Sequence, residues 1–371
     1  MKSICLALIA SAFVVTYSAA ERPSNTLKLS DASVVNDGSH DYDFLLGEFR
    51  VHNRVRSREG EPWLEFDGTA TQHAYLGGIA NIQDYVINRP TGTSRAIAIR
   101  AYDPKTRRWA ARWIDGRNPH LPLDPPEIGG FNHGVGTLYS DIVRDGKEVR
   151  TRFRYTDITA TSARWEQAIS SDAGKSWGVT WIMEFQRKEK ENDGARSENV
   201  STVKHDEPVN LSGPRGFDFV LGEWTLHSRT KSSSKDHPTW SEYEGVATQR
   251  ALMDGSANAQ DYVFTKSNKT YRGLAIRAYD PKTEQWAIWW IDGSNPHLPM
   301  DPPMKGGFNN GVGAFYGDIM LNGKPVPMRF IWSNITSTSA RWEQAVSFDG
   351  GKTWDTNWIM TFTPRQVDHH D

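Results

Sequence analysis

The chain has almost no cysteine: Cys5 is the single one in 371 residues. An intramolecular disulfide therefore has no partner, and zinc–thiolate sites and iron–sulfur clusters have no ligands. An excess of charge is missing as well. Lys and Arg number 43 against 45 Asp and Glu, a formal net charge of −2, so no global field draws the chain to nucleic acid or to anionic membranes. Beyond the N-terminus no run is long and apolar enough to span a bilayer. Long amphipathic helical patterns are absent. So are Gly-x-Ser-x-Gly, the phosphate-binding P-loop, the dinucleotide fingerprint and His-Glu-x-x-His, each of which carries a specific chemistry. The sequence marks out no metal site and identifies no cofactor.

What is abundant is tryptophan, 15 residues, within an aromatic content of 11%. Side chains of that size drive collapse and exclude a disordered chain. The first residues read as a targeting segment. Met1-Lys2 gives a positive start, Ile4 to Tyr17 is apolar and uncharged, and Ser18-Ala19-Ala20 offers small residues for cleavage. This predicts a secretory signal over residues 1–20, a polar leader over 21–40, and a secreted or periplasmic location. Cys5 would leave with the signal.

The dominant feature is an internal repeat. Phe44-Leu45-Leu46-Gly47-Glu48-Phe49 returns as Phe219-Val220-Leu221-Gly222-Glu223-Trp224, and Ala98 to Thr106 returns unchanged as Ala275 to Thr283. From Gly68/Gly245 to Trp181/Trp358 the spacing holds at 177 residues without a gap. A period this long means two whole domains rather than a solenoid. The charged and polar stretch 188–214 reads as a linker between units 41–187 and 215–365.

Each unit reads as all-β, with β-branched and aromatic runs at short spacing and turn signals between them. In the first unit strands are expected near 49–56, 63–74, 81–88, 94–102, 108–115, 134–143, 148–156, 163–170 and 176–187. Such a set fits a closed antiparallel barrel or a sandwich. One hairpin is legible in detail. With Asp103-Pro104 at the turn and Tyr102 opposite Trp109, one face carries Ala96, Ala98, Arg100 and Tyr102 against Trp109, Ala111, Trp113 and Asp115. Its twin carries Gly273, Ala275, Arg277 and Tyr279 against Trp286, Ile288, Trp290 and Asp292. Small residues facing large ones suit a packed interior. On the other face Arg112 becomes Trp289, a difference expected to mark contact between the units, packed as an intramolecular pseudo-dimer.

The openings Leu46-Gly47-Glu48-Phe49 and Leu221-Gly222-Glu223-Trp224 resemble the Gly-x-Trp start of the calycin superfamily, lipocalin-like barrels. The resemblance implies two tandem antiparallel calycin-like β-barrels. It also implies that the strand-1 aromatic plugs the floor beneath an arginine from the end of the last strand, for which Arg187 and Arg365 are candidates. Phe49 departs from the family's tryptophan. The same openings, with closing hairpins such as Phe348-Asp349-Gly350-Gly351-Lys352-Thr353-Trp354, are similar to a group of secreted bacterial proteins of unknown function. Ser170-x-Asp172-x-Gly174-x-Ser176-Trp177 and its twin from Ser347 to Trp354 also resemble the Asp-box of sialidase-type propellers. A propeller would repeat it in every blade, so here it reads as a hairpin brace.

The candidate ligand surface is the hairpin face: Arg100, Tyr102, Trp109 and Trp113 in one unit, Arg277, Tyr279, Trp286 and Trp290 in the other. An arginine among aromatics grips anionic or π-rich molecules; a structural arginine–carboxylate pair explains it too. The rigid proline loops add His120 near Asp115 and His297 near Asp292, acid–base groups if the protein is an enzyme. His52 and His227 are expected to point outward by strand alternation, and Arg164 and Glu166 to pair on one face. Asn81, Gln83 and Tyr85 share a face, as a polar ligand contact or an outer ladder. Three functions are thus in view. The first is a binding protein for a small apolar or aromatic molecule with a polar or anionic end. The second is a metal-independent lyase, isomerase or hydrolase on the same scaffold. The third is a structural envelope protein with filled barrels.

Overall fold

The computed structural model describes residues 37–120, 123–144, 146–189, 209–232, 238–296, 300, 302–321 and 323–365. The expected signal segment, most of the polar leader and most of the linker lie outside these residues, as does His297.

The chain forms two closed antiparallel barrels of ten strands each. The first comprises β1 (Gly47–Val55), β2 (Leu64–Tyr75), β3 (Ala80–Arg89), β4 (Gly92–Asp103), β5 (Arg108–Asp115), β6 (Glu127–Asn132), β7 (Val135–Arg144), β8 (Lys147–Thr156), β9 (Ser162–Ser170) and β10 (Gly178–Arg187). The second comprises β11 (Gly222–Lys231), β12 (Trp240–Leu252), β13 (Ala257–Lys266), β14 (Lys269–Asp280), β15 (Gln285–Asp292), β16 (Met304–Asn309), β17 (Val312–Leu321), β18 (Lys324–Ser333), β19 (Ala340–Val346) and β20 (Asp355–Pro364). Each strand pairs with the next, and the last returns to the first.

Sequence reading places nine strands in the first unit; the tenth is β6. Its Gly129-Gly130 pair has low strand propensity and follows a proline-rich loop, so the segment looks like a turn. The glycine is there because two backbones nearly touch. A Cβ on Gly129 would sit 1.9 Å from the Thr137 carbonyl oxygen, and one on Gly306 would sit 1.9 Å from that of Ala314.

Period-two alternation sends Phe49, Val51 and Asn53 of β1 inward and leaves Arg50, His52 and Arg54 outside. His52 bonds Asp67 at 2.8 Å on that outer face, and Arg164 meets Glu166 at 2.6 Å. The floor of the first barrel is sealed by Tyr42 and Leu45 and by Trp109, whose indole donates to the Gly38 carbonyl at 2.9 Å. The Arg187 guanidinium lies 4.5 Å over the Phe49 ring. In the second barrel Pro364 stands opposite Trp224 instead, and Arg365 pairs with Glu223 at 3.3 Å. The arginine-on-aromatic closure is therefore made by Arg187 and not by Arg365. The two Ser/Asp/Gly hairpins are turn braces. Asp172 accepts the N–H groups of Lys175 and Ser176 at 3.0 and 2.9 Å. Asp349 does the same for Lys352 and Thr353, and those hydrogen bonds, led by the Thr353 hydroxyl, hold its carboxyl down to about 2.

The barrels form an intramolecular pair. The outer faces of β3, β4 and β5 meet those of β13, β14 and β15 in one apolar cluster that includes Ile82, Ile97, Ile99, Ile276, Trp289 and Ile291. These strands are buried on both sides, which explains the unbroken apolar run Ala96–Ala101 apart from Arg100. Arg112 and Trp289 are both buried, with Trp289 inside this cluster. The contact has the reciprocity of a two-fold axis. The Leu76 N–H donates to the Asp261 carboxylate at 3.2 Å, and the Met253 N–H to Asp84 at 3.0 Å. Lys105 reaches Asn295 at 3.3 Å, and Lys282 reaches Asn118 at 2.7 Å. Leu76 and Met253 have φ of 54° and 48°, a conformation unfavourable for such side chains, so each carboxylate cap holds a strained turn. Asp84→Ala strands a partly buried N–H and should cost about 1–3 kcal/mol, seen as a lower Tm in calorimetry. An unchanged Tm would mean that the cap contributes nothing to the pairing.

Candidate functional site

Strand register builds the interior. Asn81, Arg100, Ala111 and Glu127 stand opposite one another across β3, β4, β5 and β6, so one row crosses the inner wall. The equivalent row in the second barrel is Asn258, Arg277, Ile288 and Met304. Arg100 is 3% exposed and Arg277 is 2% exposed. A guanidinium so deep must have its donors met.

In the first barrel they are met abundantly. Arg100 Nη1 donates to Gln72 Oε1 at 2.9 Å and Asn81 Oδ1 at 3.2 Å. Its Nη2 donates to Gln83 Oε1 at 2.9 Å and to the Tyr155 hydroxyl at 2.8 Å. The Asn81–Gln83–Tyr85 ladder thus faces inward, contrary to an outer polar ladder. Burial works against the charge on Arg100, but Tyr155, Tyr85 and Tyr42 outweigh it and its pKa moves up. Glu127 lines the same interior. Burial raises its carboxyl to about 7, although Arg100 pulls it down.

In the second barrel Arg277 keeps the amide contacts: Gln249 at 2.7 Å, Asn258 at 3.0 Å and Gln260 at 2.7 Å, with the Tyr262 hydroxyl at 3.3 Å. What surrounds them has changed. Tyr42, Glu127, Thr151 and Tyr155 have the counterparts Phe217, Met304, Met328 and Trp332. The Arg277 guanidinium lies 4.7 Å over Phe217 and 5.7 Å over Trp332. Here burial prevails and its pKa moves down.

The exchange of side chains opens space. The first interior holds about 30 Å³ of free volume, room for about one water. The second holds a cavity of about 220 Å³, larger than the ~150 Å³ that accommodates benzene in an apolar core. Its walls include Met304, Met328, Met360, Trp290, Trp342 and Trp358, with Asn295, Pro296, Met300 and Pro302 contributed by the proline loop. Trp290 packs over Gly273, where a Cβ would be 2.2 Å from its ring. Four cavity residues carry a buried N–H with no acceptor among the described residues: Arg277 at Nε, and Trp290, Trp332 and Trp358 at their indoles.

Of the candidate ligand residues, Arg277 and Trp290 line this cavity, and Arg100 and Trp113 line the small void. Tyr102 and Trp109 lie at the sealed end, where the Tyr102 hydroxyl bonds the Asp37 carbonyl. Trp286 likewise bonds the Gly213 carbonyl, with the Tyr279 ring tilted against it at 5.5 Å between centroids. The structure separates the acid–base candidates. Asp115 is bound by Arg117, while His120 lies between the barrels, 3.0 Å from the Ala278 carbonyl and 3.9 Å from Asp280. Asp292 lines the cavity and accepts the Ser294 N–H at 2.8 Å; along the strand it is four residues, roughly 13 Å, from the register position of Arg277. Among the described residues no cluster of His, Cys, Asp and Glu could hold a metal ion. Sequence reading missed Met304, Met328, Trp332, Trp342, Trp358 and Met360. The signal was present: aligning the repeats position by position shows Glu127, Thr151 and Tyr155 replaced by apolar residues.

No protein-family model and no curated protein matches the sequence. Among solved structures the chain is similar to a protein of unknown function of the DUF3598 family from Nostoc punctiforme, at 12% identity over 88% of this chain and 99% of that one, TM-score 0.23. It is also similar to transferrin binding protein B from Haemophilus parasuis, at 7% identity over 86% and 76%, TM-score 0.20. Scores of this size carry no functional argument.

Glu127 generates a pH prediction. Its folded pKa, about 7, exceeds the ordinary 4.5. The stability it contributes is therefore complete below about pH 4.5 and is lost as pH rises through about 7. Glu127→Gln should flatten that part of the Tm-against-pH profile and make the protein more stable than wild type at pH 8. A parallel profile would show that the carboxyl is not desolvated.

Proposed function

We propose that the protein is a small-molecule binding protein. Its site is the interior of the second barrel, and its ligand has an apolar or aromatic body with an anionic end. One observation carries this reading: Arg277, charged and 2% exposed, borders a cavity of about 220 Å³ and forms no ion pair among the described residues. Its partners are neutral amide oxygens and a phenol. An anion there would supply the missing countercharge in a low-dielectric interior, where charge-assisted hydrogen bonds are strongest. The tryptophans and methionines around it suit a planar or branched apolar body, methionine adapting to irregular shapes. The Arg187–Phe49 contact and the glycine openings of β1 and β11 favour a calycin-like barrel, a scaffold suited to such a cavity. Export through residues 1–20 belongs to the same proposal and would place the ligand outside the cytoplasm.

The cavity tryptophans report on occupancy. Titration with phenylacetate and with its uncharged amide, followed by tryptophan emission, should show binding of the acid and weaker binding of the amide. Arg277→Met should weaken the acid at least tenfold, leave the amide nearly unchanged and preserve the far-ultraviolet circular dichroism. Aryl and short alkyl acids that never perturb the emission, together with a bare mass for native protein purified from its own host, would overturn the reading.

A further inference from the structure

We infer that Glu127 occupies, in the first barrel, the position that a ligand carboxylate takes in the second, so that the chain binds one monocarboxylate and binds it in the second barrel alone. This rests on the binding function proposed above and adds the ligand's head group, its location and the stoichiometry.

The two interiors are built on the same strand register. Arg100 and Glu127 stand in the same register row with only Ala111 between them. Two strand spacings separate their backbones, about 10 Å, and both side chains line the same small void. In the second barrel the row is unchanged at Arg277, but the carboxyl is gone: Met304 takes its place and Ile288 replaces the alanine. Two further changes run the same way. Tyr155, whose hydroxyl accepts from Arg100 at 2.8 Å, becomes Trp332, which has no acceptor and whose own N–H is unpaired. Asn53, whose amide oxygen accepts the Trp181 indole at 3.0 Å, becomes Ser228, and the Trp358 indole is unpaired. The first change removes an oxygen, the second shortens the side chain to a hydroxyl that is itself unpaired, and both leave an indole donor unmet. A buried donor without an acceptor is costly, so the oxygens lost from the protein are the ones a ligand restores: two from a carboxylate near Arg277 and Trp332, with a further acceptor towards Trp358. The first barrel, with its own carboxyl and about 30 Å³ of free volume, has no place for the same molecule.

The test installs the first barrel's carboxyl in the second. Met304→Glu should abolish phenylacetate binding at pH 8, at least tenfold, while Met304→Gln weakens it less and Met304→Leu retains it. Stoichiometry for the wild type should be one per chain. Two equivalents per chain, or undiminished affinity in Met304→Glu, would overturn the inference. A second arm needs no ligand. At pH 8 Met304→Glu should have a lower Tm than Met304→Gln, the sign that burial gives Glu127, and the deficit should widen when Arg277→Met removes the countercharge. A deficit that Arg277→Met leaves unchanged would show that the carboxyl does not reach the guanidinium. If no acid binds the wild type but the Tm cycle behaves as stated, the proposed binding function fails and the geometric equivalence stands.

Discussion

Each barrel is organised around one buried guanidinium. A charge placed there must be hydrated, paired or surrounded by oriented dipoles. Four residues of fixed register do the last: the glutamine of β2 or β12 and the Asn-x-Gln-x-Tyr ladder of β3 or β13. The glutamine is itself oriented, donating to a backbone carbonyl of the segment that seals the floor, Tyr42 in one barrel and Phe217 in the other. The arginine thereby ties β2, β3, β4 and the floor plug together. The aromatic residue of that plug lies under its plane in both copies, at 4.8 and 4.7 Å. This constraint explains why Gln72, Asn81, Gln83, Tyr85 and Arg100 all return at the same spacing of 177 residues while neighbours on the same walls change.

With the dipole shell held constant, the two interiors diverge in what surrounds it. The first is completed by phenols and a carboxyl. The second is completed by indoles and thioethers that enclose space and offer donors. Around the arginine the changes from Glu127, Thr151 and Tyr155 to Met304, Met328 and Trp332 remove acceptors, while at the other side of the wall Phe66 and Val55 become Tyr243 and Thr230 and add hydroxyls. Changing several acceptors while retaining the cation leaves a site with a sign.

Much of this architecture was legible. The duplication gave the domain count, and period-two alternation around Asp103-Pro104 gave a register that matches the paired strands from Ala96 opposite Asp115 to Tyr102 opposite Trp109. The burial of both arginines followed from that register. The missing strand was hidden because Gly129 and Gly306 are selected by backbone contact, a property of three dimensions, and carry no local strand signal. The site was half legible for a related reason. Register says which residues face inward but not how far along the barrel the closed end lies, so Tyr102, Trp109, Tyr279 and Trp286 were assigned to ligand when they belong to the floor. His120 belongs to the contact between barrels, which a single unit's pattern does not reveal.

The asymmetry also gives the pairing a mechanical purpose. A cavity of about 220 Å³ costs a domain on the order of 5 kcal/mol at about 24 cal/mol per Å³, a large part of ordinary domain stability. The wall that borders it, β14 and β15, is the wall that packs on the first barrel. Its outer face contributes Leu274, Ile276, Ala278, Ala287, Trp289 and Ile291 to the shared cluster. Replacing the arginine of position 112 by tryptophan at position 289 adds apolar contact on the reverse side of the strand that carries Trp290 and Ile288 into the cavity. The cavity wall is thereby backed from outside by the apolar face of the first barrel. The duplication thus joins a nearly filled barrel to a hollow one across a shared apolar wall.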